Sequence, residues 1–483
     1  MKTRRLDKAM KGAGLLLVAV ALGGCASVGP DFSAPPPISK ATVFANAPAG
    51  GGTGAPSPVQ AGSEREGTRW WKVLGDSQLD ALEERALSSN PSLETVAARI
   101  AEARARLRLT KAERSPALTT NDSARLLGES SERTLPLPSS PVKYRDAGDS
   151  YRLALEASWE PDLWGRVRRS TEGVAAQLEA AEADARAARL ALSADLALTY
   201  ATVRGLEAEL AVLGLTLDQR HAYADLLATR IKHGLGLESE VQRAHTEIAL
   251  LEAEQEDLQR RRSLALNALA QLCGTTPGDL ALAQGALPSP PMIPAGIPAE
   301  VLRRRPDIAA AEATLHARTA EIGVAEAARY PSIRLTGGGG FESGDLLNLL
   351  ERPAQFWQLG PMLTMPLIDG GRTRAGIEAA TARAEAARAD HRARCLAALR
   401  EVEDALAELR HNAKQTEALL RAGDTAREAA SLLKVRHEGG LATYLDVLDA
   451  ERSCLQAERN LTQARTARLA STVKLVKALG GAW

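Results

Sequence analysis

The segment lengths of this chain occur twice, and that repetition limits the folds it can adopt. Prolines, arginines and glycines that would begin or end helices recur at equal separations in the two halves. The matching pairs are Pro91–Pro116 with Pro306–Pro331 (25 positions), Arg166–Gly234 with Arg372–Gly440 (68 positions), and Gly234–Gly274 with Gly440–Gly480 (40 positions). Equal segment lengths in two copies indicate a duplicated structural unit.

The two longest segments are uninterrupted and predict unusually long helices. A helix of about 67 residues, at about 1.5 Å per residue, is on the order of 100 Å long. This length exceeds the core of an ordinary globular domain, so the sequence predicts a long rod or tube.

Apolar residues in the first long segment recur at steps of three and four, and Arg220 stands at the one position that breaks the series. The series is Val203, Leu206, Leu210, Leu213, Leu217, Ala224, Leu227 and Ile231. Heptad spacing of this kind predicts packing against a neighbouring helix. A composition rich in Ala, Leu, Glu and Arg, with 3% aromatic residues, also fits long helices. We therefore predict a mostly α fold with a small β part.

The charge balance gives no sign of a nucleic-acid partner. The chain has 60 basic and 60 acidic residues. Loss of residues 1–24, with five basic residues and one acidic residue, would leave 55 against 59, a net charge of −4. A nucleic-acid-binding protein would need a basic excess or patch, and the sequence has neither.

The N-terminus has the features of a bacterial lipoprotein signal. Residues 1–24 combine basic residues with an apolar core at 12–22 that is too short to span a bilayer as a mature helix. The small residues before Cys25 resemble a lipobox, in which the cysteine thiol carries a covalent lipid; the alternative is an ordinary signal peptide with a chance cysteine. The residue after the cysteine is Ala26 and not Asp. By resemblance to the sorting rules of bacterial lipoproteins, this favours the outer membrane. Residues 25–69, rich in Pro, Gly, Ala and Ser, predict a lipidated tether.

The rest of the chain is predicted to form two matched repeats, 70–276 and 299–483, joined by a linker at 277–298. Each repeat is predicted to contain a helix, a β-hairpin, a long helix and a return helix. Alternating apolar and polar residues place the hairpins at about 117–160 and 332–367.

Aromatic residues are concentrated in and beside the two hairpins. Rings at strand ends are typical of membrane interfaces, where an apolar ring meets water at its edge. The residues concerned are Tyr144, Tyr151, Trp159, Trp164, Phe341, Phe356 and Trp357. The four strands of one chain cannot close into a barrel, and an open strand edge cannot lie in lipid. Membrane-spanning strands would therefore need several chains, and three chains would supply about twelve strands. The alternative is two soluble hairpins that cap the rod.

Several short motifs are spread over nearly all of the mature chain. They are Cys25 with Gly29–Phe32, Trp70–Trp71, Asp76–Leu79, Asn90–Leu93, Arg304–Ile308, Ile322–Ala325, Tyr330–Ile333, and Gly440–Leu441 followed by Tyr444–Ala450. Together they resemble the outer-membrane factors of the TolC superfamily, in the branch of OprM-, CusC- and NodT-type efflux lipoproteins. The resemblance implies a homotrimer with a twelve-stranded transmembrane β-barrel and a twelve-helix periplasmic α-barrel. It also implies the exit duct of a tripartite efflux system, whose partners are a periplasmic adaptor and an inner-membrane transporter of the RND type.

Asp446 and Asp449 are the candidate gate residues. They lie three positions apart, so on a helix they share one face. In the family, these positions match aspartates that line the constricted periplasmic mouth, which in a trimer implies two rings of three carboxylates. The alternative is a solvated acidic face near a helix start, where aspartate is favoured in any case. In the first repeat, Glu240 and Arg243 occupy the equivalent positions.

Two glycine turns are the candidate docking tips. Arg230, Gly234 and Leu235 form the first, and Arg436, Gly440 and Leu441 form the second, with one inserted residue. They resemble the family's tips, which dock onto the hairpin of the adaptor. The alternative is ordinary turn chemistry, since glycine is favoured at a helix C-terminus.

The sequence shows no motif that supports catalysis or metal binding. The seven histidines are scattered without metal-ligand spacing. Gly337–Gly340 resembles a phosphate-binding loop only superficially, because no Lys-Ser/Thr pair follows it. We therefore predict passive conduction through an outer-membrane channel, with no cofactor beyond the lipid on Cys25 and with a helix-iris gate opened by adaptor docking. The alternative is a periplasmic coiled-coil adaptor or scaffold lipoprotein.

Overall fold

The computed structural model describes residues 27–36, 38, 44–46, 67–127, 148–234, 237–291 and 298–481. The predicted signal segment, Cys25, Tyr144 and Leu235 lie outside the described residues. In the described ranges, the helices are α1 (Ser77–Ser89), α2 (Pro91–Ala112), α3 (Arg166–Lys232), α4 (Glu238–Leu272), α5 (Pro298–Arg304), α6 (Pro306–Ala327), α7 (Arg372–Glu438) and α8 (Tyr444–Ala478). The strands are β1 (Ala117–Thr120), β2 (Ser123–Leu127), β3 (Gly148–Trp159), β4 (Ser332–Ser343) and β5 (Gln355–Thr364).

Helix lengths repeat as the sequence predicts. α2 and α6 each have 22 residues, α3 and α7 each have 67, and α4 and α8 each have 35. The local signals are simple, since a proline occupies the first position of α2 and of α6, where its missing amide hydrogen costs nothing. Glycines with positive φ follow the long helices and the return helices, as C-terminal caps require.

The strands form one antiparallel sheet in which β3 and β4 are central. β1 and β2 both pair with β3, β3 pairs with β4, and β4 pairs with β5. Thr120 lies opposite Leu155 and Ser123 lies opposite Arg152, so the register is unchanged between β1 and β2. The two short strands therefore follow one line, and the described sheet has the four strand lines that the sequence predicts.

A local side-chain bond interrupts that line. Asp122 lies between β1 and β2, and its carboxylate accepts the amide hydrogen of Ala154 at 3.2 Å. β5 ends at Thr364, three residues earlier than the predicted strand. Pro366 explains the early end, because it has no amide hydrogen for the ladder.

The chain divides into two compact units. The first comprises Met1–Ala34, Ile100–Ala180 and Glu312–Ala389 and contains the sheet. The second comprises Pro35–Arg99, Ala181–Ala311 and Asp390–Trp483. Among the described helices, a segment with the length and hydropathy of a transmembrane helix is absent.

The heptad seam of α3 is buried in the second unit. Val203, Leu206, Leu213, Leu217, Ala224 and Leu227 are all buried. The last five form a hydrophobic cluster with Ala244, Ile248 and Leu258 of α4, and Leu455 of α8 packs against it. The predicted packing against a neighbouring helix is therefore confirmed.

A second cluster holds the short helix α1 in the same unit. Trp70 and Trp71 pack with Leu79, Leu82 and Ala86 against apolar residues of α3, α4 and α8. The chain that follows α4 also packs on α3, since Arg204 donates to the carbonyl of Ala283 at 2.8 Å.

Candidate functional site

The two predicted docking tips lie at the ends of α3 and α7. Gly234 and Gly440 both have φ 74°, a conformation that glycine adopts without strain. The amide of Leu441 donates to the carbonyl of Arg436 at 2.8 Å and closes the second turn. The predicted tip residues within the described ranges, Arg230, Gly234, Arg436, Gly440 and Leu441, are all exposed. Turn chemistry explains both glycines, and the exposed side chains around them remain available to a partner.

Asp446 caps the start of α8. Its carboxylate accepts the amide hydrogen of Thr443 at 2.9 Å and the hydroxyl of Thr443 at 2.7 Å. These hydrogen bonds, with the charge of Arg436, hold the pKa of Asp446 below its usual range. Asp446 is therefore both an exposed anion and a helix cap, so the helix-start interpretation accounts for part of its role.

Asp449 lies one turn further along the same helix and is also exposed. Its carboxylate is 4.0 Å from Arg452, which pairs with Glu247 of α4. The structure thus places both candidate gate residues on the exposed surface of α8, near its start. Their role in lining a channel stays a prediction.

Arg220 occupies the interrupted position of the heptad seam and is buried. Its side chain is 6% exposed, and Nη1 donates to Oε2 of Glu451 on α8 at 2.7 Å. Burial raises the pKa of Tyr444, and the positive charge of Arg220 partly offsets this. One arginine on α3 therefore pairs with Glu451 and acts electrostatically on Tyr444.

Tyr223 and Tyr444 stack directly beside this ion pair. Their ring centroids are 4.0 Å apart, with an interplanar angle of 11°. The ring of His437 lies 6.1 Å from that of Tyr444, and its Nδ1 is 3.0 Å from the carbonyl of Ala442 in the second tip. The Tyr223 hydroxyl is buried without a hydrogen-bond partner among the described residues, and burial raises the pKa of Tyr223.

We call these five residues, Arg220, Tyr223, His437, Tyr444 and Glu451, the tip cluster. It connects α3, the end of α7 and the start of α8 immediately beside Asp446. Sequence reasoning missed it, although the break in the heptad series at Arg220 was a visible signal. Such a cluster can fix α8 against α3 or release it.

One face of the sheet is apolar and exposed. Leu153, Leu155 and Trp159 alternate along β3, and the register places them on the same face as residues of β4 and β5. The exposed apolar side chains of β3 and β5 on this face, between 36% and 79% exposed, are Leu153, Leu155, Trp159, Trp357, Leu359 and Leu363. A contiguous apolar surface of this kind marks contact with lipid or protein.

The opposite face carries charge. Arg152 on β3 donates to Glu156 at 2.9 Å, and its Nη1 lies 3.5 Å from Glu342 on β4. The guanidinium carbon is 4.8 Å from the ring centroid of Phe356 on β5. The sheet therefore has one apolar face and one polar face.

The predicted interface aromatics do not all lie in one environment. Tyr151, Trp159, Phe341 and Trp357 lie on the apolar face, whereas Phe356 lies on the polar face with Arg152. Trp164 follows β3, stacks on Tyr330 with centroids 4.8 Å apart, and donates its indole N–H to the carbonyl of Pro331. Their role at a membrane interface stays a prediction.

The segment that follows Cys25 is held by the start of α3. Arg169 donates to the carbonyl of Gly29 at 3.2 Å and to the carboxylate of Asp31 at 2.6 Å, and the ring of Phe32 stacks on His316. Cys25 itself lies outside the described residues. Within the described ranges, no group of three or more His, Cys, Asp or Glu could hold a metal ion.

Comparisons with known proteins agree with one another. A sequence model of the family described as outer membrane efflux protein matches residues 82–275 and 297–481. Outer membrane protein OprJ of Pseudomonas aeruginosa is 33% identical over 476 residues, which cover 98% of this chain and 96% of OprJ. The solvent efflux pump outer membrane protein SrpC of Pseudomonas putida is 31% identical over 472 residues, 96% of each chain. The solved structure of the outer-membrane channel OprN matches with a TM-score of 0.84 and 31% identity, over 95% of this chain and 100% of that one.

Proposed function

The chain belongs to the outer membrane efflux protein family, and on this premise we propose that three copies form the exit channel of a tripartite efflux system. It is an outer-membrane protein with a mostly helical, duplicated fold and a small sheet part. The prediction of an efflux channel is confirmed by its relatives. The alternative of a periplasmic adaptor or scaffold lipoprotein is not supported.

The two-faced sheet is the observation that carries the proposal. One protomer has four strand lines, and the exposed apolar face of its sheet must contact lipid or another protein surface. In lipid, unpaired strand edges cost several kcal/mol for each unsatisfied group, so the strands must close into a ring. Three protomers would supply about twelve strands, within the range of closed membrane barrels, with the apolar face toward lipid and the charged face toward water.

A covalent lipid on Cys25 would anchor each protomer to the outer membrane. The contacts of Arg169 with Gly29 and Asp31 support this proposal, because they fix the chain a few residues after the cysteine. In the same proposal, Tyr151, Trp159, Phe341 and Trp357 contact the lipid face of the barrel.

The tip cluster would hold the periplasmic mouth closed. The ion pair of Arg220 with Glu451 and the stack of Tyr223 on Tyr444 join α3 to α8, so α8 cannot move outward until these contacts break. Asp446 and Asp449 would then form two acidic rings that admit cations at the resting mouth. An adaptor that docks on the exposed tips would draw the helix ends outward and open the mouth.

The protein supplies a passage and no driving force in this mechanism. Energy comes from an inner-membrane transporter, for which we propose the RND type, and a periplasmic adaptor connects it to the two tips. Three repeats of the same tip pair would offer the adaptor six docking positions around the mouth. The proposal includes no cofactor apart from the covalent lipid.

Single-channel recording in a planar bilayer tests the proposal. The full, lipidated protein should be purified as a trimer, with its stoichiometry measured by cross-linking and mass spectrometry. We expect small, cation-selective openings from that trimer. A well-folded preparation that inserts into the bilayer and yields no openings would contradict the channel function.

A further inference from the structure

A fixed group of charges lies on the polar face of the sheet, outside the predicted gate. Arg152 on β3 is at the centre of this group. The two carboxylate partners of Arg152 are Glu156 on the same strand and Glu342 on β4. Asn121 donates to Glu156 at 3.2 Å from the other side. We call Arg152, Glu156 and Glu342 the sheet triad.

Several contacts hold the guanidinium of Arg152 in place. Its side chain is 27% exposed, and the ring of Phe356 on β5 lies under it. A hydrogen-bonded ion pair with Glu156, a second carboxylate at 3.5 Å and a ring contact fix an arginine more firmly than a single exposed ion pair does. Arg152 is therefore a positioned charge and not a mobile surface side chain.

The glycine run at 337–340 makes room for this arrangement. In the register, Gly340 lies between Ala154 of β3 and Phe356 of β5, so no side chain stands between Arg152 and the Phe356 ring. A Cβ atom at Gly340 would come 2.0 Å from the carbonyl oxygen of Leu153, so the strand backbones also require glycine there. The motif that resembled a phosphate loop thus has a structural explanation.

The orientation of the triad follows from the opposite face. Leu153 is next to Arg152 in β3 and belongs to the exposed apolar face, so Arg152 points away from that face. If the apolar face meets lipid, the triad meets the water inside the barrel. This step rests on the proposed function.

We propose that the sheet triad, repeated in each protomer, is a second selectivity site of the channel, inside the membrane and separate from the acidic tip residues. Its two carboxylates attract cations, and Arg152 opposes them. Arg125 and Arg334 lie on the same face outside the triad and also contribute to the local potential. The informative quantity is therefore the change in ion selectivity when one triad charge is removed.

Reversal potentials in a salt gradient test this proposal. We expect Arg152→Gln to raise the cation-to-anion permeability ratio and Glu156→Gln with Glu342→Gln to lower it. The expected size is about twofold for each charge removed, as a Coulomb interaction across about 10 Å of water predicts. Arg152→Lys keeps the charge and should keep the wild-type ratio.

The recordings should be repeated with Asp446→Asn and Asp449→Asn in the background, so that the tip rings do not dominate the ratio. Thermal stability of each trimer separates a structural role from an electrostatic one. Glu342→Gln alone is a milder variant, since Glu342 is 49% exposed. Open channels with unchanged ratios in the Arg152→Gln and Glu variants would overturn the proposal. Absence of channels from the wild-type trimer would contradict the proposed function itself, and this inference with it.

Discussion

Arg220 and Glu451 form an ion pair between α3 and α8, with Nη1 of Arg220 2.7 Å from Oε2 of Glu451. The two residues are 231 positions apart in the chain. Arg220 is buried, whereas Glu451 is 30% exposed, so opening the pair leaves the arginine with the larger desolvation cost. A contact of this kind suits a latch that stays closed until another protein opens it.

We expect Arg220→Ala and Glu451→Ala each to raise the resting open probability of the channel, because either change removes the bond between α3 and α8. The double variant should open no more than the stronger single variant, since residues in one contact are not additive. Single-channel recording of the three variants measures this. Fully additive effects would show that the two residues act separately, which contradicts a shared latch.

Tyr223→Phe should stabilise the protein without opening the channel. The Tyr223 hydroxyl is buried without a partner in the described part of the chain, so its removal relieves a desolvation cost of about 1 kcal/mol. The ring stack with Tyr444 is kept. Thermal unfolding and single-channel recording together check the prediction, and Tyr223→Ala is the matched control that loses the stack and should raise resting openings.

Glu83 should make stability depend on pH. It lies in α1, its side chain is fully buried, and burial, with the nearby charge of Asp80, raises the pKa of its carboxyl from 4.5 to about 9. Between these values, the folded state keeps a proton that the unfolded state releases. Stability should therefore fall as pH rises through this window, by about 1.4 kcal/mol per pH unit at most.

Glu83→Gln should flatten that dependence, because the amide is neutral in both states. Thermal unfolding at pH 5, 7 and 8.5 measures the difference between the variant and the wild type. Glu84→Gln is the matched control: Glu84 is exposed and pairs with Arg69 at 3.6 Å. An equally steep pH dependence in wild type and Glu83→Gln would show that Glu83 is not the group responsible.

The start of α2 could be predicted from the sequence, whereas the burial of Glu83 in α1 could not, and the difference has a physical reason. The start of α2 could be predicted because Pro91 is a local signal that acts through its own backbone. Glu83 and Glu84 look alike in sequence, and only the packing of α1 against other helices decides that Glu83 is the buried one. Long-range packing of this kind has no local pattern.

The functional residues show the same division. Asp446 and the tip glycines were identified through the family resemblance, and helix starts and ends also have local signatures at these positions. Arg220 was visible as a break in a heptad seam, but Glu451, its partner, lies in another helix that the seam does not specify. Arg152 was missed because its partners come from three strands, and strand register was not predicted.

Gly340→Ala should destabilise the sheet, whereas Gly360→Ala should be tolerated. A Cβ atom at Gly340 would clash with the backbone of β3, while one at Gly360 meets nothing within 4 Å. Overpacking of this kind typically costs about 1–3 kcal/mol, and a rigid backbone neighbour places Gly340 at the upper end. Thermal stability of the two variants as trimers tests this. Equal stability would show that β3 and β4 can separate enough to accept the methyl group.

Asp446→Asn with Asp449→Asn is the direct test of the gate. Asparagine keeps an oxygen that can accept the bonds from Thr443, so the start of α8 should stay intact while both charges are lost. Because rings of carboxylates attract cations, we expect the loss of both charges to lower the cation preference about twofold or more.

Glu240→Gln is the matched control for this gate variant, because Glu240 occupies the position of Asp446 in the first repeat. If only the second repeat lines the mouth, Glu240→Gln should leave selectivity unchanged. Similar effects of both variants would mean that the two return helices contribute equally, so the mouth would not be asymmetric. Unchanged selectivity in Asp446→Asn with Asp449→Asn, measured on stable trimers, would remove these aspartates from the gate and leave Asp446 as a helix cap alone.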